Sequence, residues 1–259
     1  MRDSLIRGEG SNSVNATGRC DATRALNGIA LLGEAASIDE VLARLRASVR
    51  DLGGDAAVFM SFVQDDATLA SYRSLVACDP AWSTEYAQGQ WFEHDPWLRH
   101  AMHDAEPVRS SELVLLSELE EAFVAAASQA GFASAVVAPA PSTHGSARVG
   151  VLVLGSAKPG FFESDSYPTL RVLARALSME LHAWLGRSIL RELVARSRIT
   201  AEDIALLRHE AAGHGSKLIA AALNTEPKTI DCRFQRVSSK LGAANRRAAV
   251  RLARLYGLI

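Results

Sequence analysis

The chain has 259 residues, 48% of them apolar and 22% charged, with a net charge of −1. That is enough for one large or two modest domains with real cores, and it excludes a disordered chain. It also excludes a membrane span, because no apolar run reaches the roughly 18 residues required.

Residues 1–7 lack the apolar stretch of a signal peptide, and the Gly-, Ser- and Asn-rich stretch 8–18 reads as part of a loose tail over 1–20. Ser37-Ile38-Asp39-Glu40 has the form of a capping box, followed by Val41, Leu42, Leu45, Val49 and Leu52 at helical spacing and stopped by Gly53-Gly54. The apolar run 56–63 suits a buried strand, Asp65-Asp66 a turn, and 68–77 a second strand. Pro80 opens a short helix with Trp82 and Tyr86, and Asp95-Pro96 opens another to about Met102. Ser117–Glu120 repeats the capping pattern, with its helix running to Gly131. Two strands follow, 134–138 and 148–155, around a turn at 142–145, and then a long amphipathic helix over 164–184. These elements predict an α/β/α sandwich over residues 21–185, a central sheet with helices on its faces. Residues 186–196 read as a partly helical connector.

From residue 197 the composition changes. Residues 197–259 hold eleven basic and five acidic side chains, net +6, whereas 1–196 hold seventeen and twenty-four, net −7. The phosphate backbone attracts such a basic end and repels the acidic body. Thr200-Ala201-Glu202-Asp203 caps a helix closed by Gly213, and a second short helix covers 216–223. Asn224 suits a left-handed turn, and Pro227 a first helical position. The next helix, to Leu241, puts Ile230, Phe234, Val237 and Leu241 on one face and Thr229, Arg233, Gln235, Arg236 and Lys240 on the other. Asn245 caps a fourth helix ending at Gly257. Two short helices joined by a tight turn, the second with Arg and Gln on its polar face, make a helix-turn-helix. Arg233 and Arg236 are the candidates for base edges, and Lys217, Lys228, Thr229 and Lys240 complete the candidate DNA-binding set. The fold class is therefore α+β, a sandwich sensor followed by a four-helix DNA-binding domain over 197–259.

This C-terminal module resembles that of the LuxR family. The matching residues are Thr200, Gly213, Lys217, Ile219-Ala220, Thr229-Ile230, Lys240-Leu241-Gly242, Asn245-Arg246 and Gly257-Leu258-Ile259. It departs from that pattern at Glu202-Asp203, Leu218, Glu226 and Arg233, and the first two departures weaken an ion pair of the family pattern. The spacing of Trp82, Tyr86 and Asp95-Pro96 resembles the acyl-homoserine-lactone binding domain of quorum-sensing receptors, over roughly 37–185. Without that context a Trp/Tyr pair is more often core and Asp-Pro more often a helix cap. The resemblance implies that Trp82 binds the lactone carbonyl, Tyr86 the acyl carbonyl and Asp95 the amide N–H. Each group has the matching chemistry, as indole donor, phenol and carboxylate acceptor. Trp97 is placed as core or pocket wall. A further Trp of the family, about fifteen residues after Asp95-Pro96, is absent, and Ser110 lies near its place. Val153 and Cys78 also depart from residues found in relatives. Val58, Met60, Val136 and Leu152 are candidates for the wall around an acyl tail.

The expected function is a ligand-responsive transcription regulator on a dyad-symmetric DNA site. A regulator that binds DNA without a lactone is the alternative. The expected partners are duplex DNA, a small acylated signal and a second copy of the chain, with RNA polymerase a further candidate. For pairing, one stripe is Ala249, Leu252, Ala253 and Tyr256, and another is Leu173, Leu177, Leu181 and Trp184. No cofactor, metal site or catalytic residue is expected, since no Gly-x-Ser-x-Gly elbow or paired nucleophile and base is visible. Cys20, Cys78 and Cys232 are too widely spaced for a zinc site or a disulfide framework and suit a reducing cytoplasm.

Overall fold

A computed structural model describes residues 21–63, 72–141 and 148–259. The expected tail over 1–20, the turn at Asp65-Asp66 and the turn at 142–145 lie outside them. The chain runs α1 (Ala22–Leu32), α2 (Ile38–Asp51), β1 (Ala56–Val63), β2 (Arg73–Ala77), α3 (Pro80–Gln88), α4 (Pro96–His103), β3 (Val108–Arg109), α5 (Glu118–Ala127), β4 (Ser134–Ala140) and β5 (Arg148–Ser156). There follow α6 (Tyr167–Ser197), α7 (Ala201–Ala211), α8 (Ser216–Ala222), α9 (Pro227–Leu241) and α10 (Arg246–Leu255).

The five strands form one antiparallel sheet in the order β2-β1-β5-β4-β3. Strand β1 is buried along its whole length, which is why it reads as an unbroken apolar run. Its side chains nevertheless alternate between two cores. Ala57 and Phe59 join Leu45, Leu177, Leu181 and Trp184 beneath α1, α2 and α6. Val58, Met60 and Phe62 join Trp82, Trp97, Phe123 and Phe132 beneath α3, α4 and α5. Both faces of the sheet are thus covered, and the sandwich expected from the sequence is present.

Local sequence explains most element ends. Ser37 Oγ accepts from Glu40 N–H, and Ser117 Oγ from Glu120 N–H, as capping residues do. Neither pair closes its box, because the glutamates have other partners. Glu40 accepts from Ala36 N–H. Glu120 accepts from Leu116 N–H and forms a bidentate pair with Arg99 at 2.8 and 2.9 Å, tying α5 to α4. Helix α5 ends in a wide turn where Gly131 takes a φ of 96°. That turn lies against Gly155 of β5, where an added Cβ would sit 2.4 Å from Phe132 and 2.9 Å from Gly131 O, so only glycine fits the strand there.

The helix α1 was not anticipated. Asp21 caps it by accepting from Arg24 N–H, and Ala25, Ile29 and Leu32 give it a short buried stripe. The region 167–197 also differs from expectation. It is one unbroken helix of 31 residues with no separate connector. An Arg196–Glu192 pair at i,i+4 supports its last turns, and Arg198 ends it in the left-handed conformation. Ile189 belongs to the sensor core, whereas Leu190 and Leu193 pack on the C-terminal core, so α6 passes from one hydrophobic core to the next.

Candidate functional site

Asp79 caps α3 by accepting from Ala81 N–H, and Pro80 fills its first turn. One helical turn separates Trp82 from Tyr86, so their rings meet edge to face at 5.9 Å. A left-handed Gln90 then reverses the chain and brings Asp95 back beneath Tyr86. Asp95 does two things. Its Oδ1 accepts from Trp97 and Leu98 N–H at 2.8 and 3.1 Å, capping α4, and its Oδ2 accepts from the Tyr86 hydroxyl at 2.9 Å. The cap reading and the site reading therefore hold together on different oxygens of one carboxylate.

Asp95 is only 4% exposed. Burial pushes its carboxyl up to about 6, against the bonds from Leu98, Tyr86 and Trp97, which pull it down. Burial, with the Asp95 charge next, also holds the Tyr86 hydroxyl well above its ordinary range. These groups face a cavity of about 250 Å³ between the sheet and α3–α4, with Val58, Met60, Val153, Phe123 and Phe132 among its walls. A few convergent polar groups in an apolar, mostly enclosed space is the general form of a small-molecule site. A wider cleft of about 870 Å³ adjoins the C-terminal domain, but arginines 246, 247, 251 and 254 line it and it lacks enclosed apolar walls.

In the C-terminal domain, α8 and α9 meet across Asn224, whose φ is 47°. Ile230, Phe234 and Val237 are buried against Leu207, Ile219 and Ala249. This fixes the opposite face of α9 outward. Lys228, Gln235 and Arg236 are exposed there, Thr229 and Arg233 are half-buried, and Lys217 is exposed on α8.

Comparisons with known proteins follow this division. The family described as "Autoinducer binding domain" matches residues 37–183, and "Bacterial regulatory proteins, luxR family" matches 197–253. The chain belongs to the luxR family of bacterial regulatory proteins. It is a ligand-responsive, DNA-binding regulator of the quorum-sensing type, not an enzyme. Among solved structures, SdiA of Escherichia coli aligns with a TM-score of 0.72 at 17% identity, over 92% of this chain and 98% of that one. SdiA in complex with octanoyl-rac-glycerol aligns at 0.66 and 15%, over 89% and 93%. CepR2 of Burkholderia cenocepacia, described as an N-acylhomoserine-lactone-dependent LuxR family transcription factor, aligns at 0.52 and 20%, over 64% and 95%. At these identities the likeness is one of fold. No curated protein matches the sequence.

The regulator's predicted site residues fall into two groups. Trp82, Tyr86, Asp95 and Trp97 all line the one cavity, and Val58 and Met60 do so as expected. Ser110 does not. It begins a short turn after β3, and its hydroxyl accepts from Ala135 N–H at 3.1 Å on β4. The residue of that segment turned toward the cavity-side core is Val108. Val136 and Leu152 are also misplaced, because the pleat sends them to the opposite core. Tyr72, just before β2, and Ser74 within it, which sequence reasoning passed over, line the cavity, and the alternation Tyr72, Ser74, Val76 was the signal available for them.

Four expectations for the second half of the chain change as well. Lys240 was expected on a phosphate, but its Nζ is 2.6 Å from Asp203 Oδ2. Asp203 also completes a capping box with Thr200, so the departure at Glu202-Asp203 does not leave the domain without an ion pair. Leu173, Leu177, Leu181 and Trp184 are buried in their own sensor core, with Trp184 Nε1 donating to Ala35 O at 2.7 Å, so they form no outward stripe. Of the α10 stripe, Ala249 and Ala253 are core, and Tyr256 packs against the sensor core.

Proposed function

We propose that this regulator binds an acyl-homoserine lactone, or a closely related acyl compound, in the cavity beside Trp82, Tyr86 and Asp95, with Trp97 as wall. The observation that carries the reading is the Tyr86–Asp95 hydrogen bond at the edge of a mostly apolar cavity. Burying a carboxylate there costs stability, which a ligand N–H donated to Oδ2 offsets. Among the described residues the buried indole N–H of Trp97, which lines the same cavity, has no acceptor, so a second donor stands beside that of Trp82 for a ligand oxygen. The octanoyl-glycerol bound by SdiA is a fitting precedent for an acyl tail in this fold. At about 250 Å³ the cavity lies at the low end of ligand pockets, which favours compact ligands.

The test is a thermal-shift screen of acyl-homoserine lactones of graded chain length, with octanoyl-glycerol alongside. A ligand confined to the folded state raises stability by about 2.7 kcal/mol at a hundredfold excess over Kd. The largest shifts are expected from shorter chains. A flat response to every compound would end the lactone reading.

We further propose that α9 enters the major groove, with Arg233 and Arg236 toward base edges and Lys217, Lys228 and Thr229 on the backbone, as two copies on a dyad-symmetric site in the cytoplasm. Lys240 contributes to this face through its tie to Asp203. Arg236→Ala is expected to cost about 1–3 kcal/mol of binding and relax base preference, whereas Lys217→Ala weakens all sequences alike and lowers the salt slope. Fluorescence anisotropy on a matched and a scrambled duplex separates the two, and two variants that bind like wild type would remove α9 from the groove.

A further inference from the structure

We infer that the cleft between the end of β1 and α10 is a second binding site, for a compact anion of linked phosphates, as in inorganic tripolyphosphate or the phosphate chain of a nucleoside triphosphate.

The cleft, about 870 Å³, is bounded by Val63 of β1, the last turn of α7, the turn at 213–215 and one face of α10. Arg247, Arg251 and Arg254 follow one another on α10 at i, i+4 and i+7, so they share that face, and all three are exposed. Arg246 stands beside them at the start of the helix. Among the described lining residues the one carboxylate is Glu210, and Arg246 already pairs with it. Arg254 donates to Ala211 O at 3.0 Å, a neutral acceptor that leaves its charge uncompensated. No hydrogen bond or ion pair among the described residues engages Arg247 or Arg251.

Like charges one turn apart weaken a helix, and a counter-anion relieves the repulsion. A cleft lined by one sign of charge concentrates ions of the other. Each guanidinium can hold a phosphate through two parallel N–H···O bonds. Three of them around one concavity call for several charges in a small volume. Linked phosphates supply that, whereas an acidic peptide spreads its charges along a chain. The volume lies within the range of small-molecule sites. A second copy of α10 is a poor occupant, because it would bring the same arginines face to face. A duplex read by α9 leaves the cleft open, since none of the described residues lining it belongs to α8 or α9. With Val63 on the sensor and the arginines on the DNA-binding domain, a bound anion touches both.

The experiment titrates tripolyphosphate, ATP, orthophosphate and a short poly-glutamate into the full-length protein by calorimetry, at one ionic strength because salt screens exposed charges. Wild type is expected to bind tripolyphosphate and ATP about tenfold or more tightly than the other two. Arg247→Gln combined with Arg251→Gln should weaken tripolyphosphate by about tenfold or more. Arg236→Ala on α9 removes one positive charge outside the cleft and should leave that affinity unchanged. The double variant loses only exposed side chains and should melt no lower than wild type without anion. ATP binding more tightly than tripolyphosphate would place the nucleoside on the apolar lining at Val63 and Val250, and equal affinities would assign the site to the phosphate chain alone. An equal loss in Arg236→Ala would move the anion to the recognition face. Unchanged affinity in the double variant would reduce the binding to a general attraction to a basic domain, and equally tight poly-glutamate would assign the cleft to an acidic protein. Each of these three results overturns the inference, as does the absence of tripolyphosphate binding to wild type.

Discussion

Alanine at Arg246 will loosen the DNA-binding domain and abolish DNA binding while leaving ligand binding by the sensor intact. This side chain joins all four helices of the domain. Its guanidinium pairs with Glu210 of α7, donates to Ser216 Oγ of α8 at 2.8 Å and to His214 O, and lies 3.7 Å over the Phe234 ring of α9. Ser216 in turn donates to Asp231 of α9 at 2.7 Å. The angle between α8 and α9 sets how a helix-turn-helix meets DNA, and Arg246, from the start of α10, holds both. Its loss strands Glu210, whose side chain is only 20% exposed, and empties the space above Phe234. A cost of about 3 kcal/mol is expected, at the upper end for one substitution. Lysine restores the charge but neither the fork nor the stack, so Arg246→Lys should fall between the two. Thermal unfolding and duplex binding on the same samples check this. Arg236→Ala should lose DNA without losing stability, whereas Arg246→Ala should lose both. Wild-type DNA affinity in Arg246→Ala would show that the network is not needed to set the helix angle.

The parts of this fold that could be read from the sequence are those fixed by local chemistry. Ser37, Asp79, Asp95, Ser117, Thr200 and Asn245 each cap a helix through a side-chain oxygen, as their types and positions indicate. Asn224 and Gly213 take the left-handed conformation their turns require. What could not be read depends on partners distant in sequence. Lys240 looks like a phosphate contact until Asp203, 37 residues away, is placed beside it. Ser110 has the chemistry of a pocket residue, but strand pairing between β3 and β4 directs its hydroxyl to Ala135. The sandwich was legible, yet which face Val136 or Leu152 would join was not, because a strand buried on both sides has no polar face to mark the alternation. Trp82, Tyr86, Asp95 and Trp97 converge because α3 and the start of α4 are joined by a short turn. Tyr72 and Ser74 reach the cavity from the segment at β2, earlier in the chain, and spacing around Asp95 gives no hint of them.

Asparagine at Asp95 will make the unliganded protein more stable at pH 7.5 and at the same time poorer at holding its signal. Asparagine caps helices as well as aspartate does, so the bonds from Trp97 and Leu98 N–H survive. What changes is the charge. In the folded chain burial raises the Asp95 carboxyl to about 6, while the unfolded chain titrates it near 3.8. The folded state therefore holds the proton more tightly. The destabilisation is absent below about pH 4, grows as pH rises toward 6, and above that is roughly 3 kcal/mol. Asp95→Asn removes it, so the variant should melt above wild type at pH 7.5 and together with it near pH 4. Ligand binding moves the other way. An amide or hydroxyl donor of the signal needs the ionised Oδ2, and a charge-assisted bond of this kind contributes about 1.5–3 kcal/mol. The asparagine amide can turn an N–H toward that donor, and two facing donors repel. Wild-type affinity should also fall as pH drops below about 6, while the weak residual binding of Asp95→Asn stays flat. The measurements are melting curves and ligand titrations between pH 4 and 8. A variant that is less stable at pH 7.5 would mean that the Asp95 charge supports the fold, and one that binds the signal as tightly as wild type would mean that the ligand does not use this carboxylate.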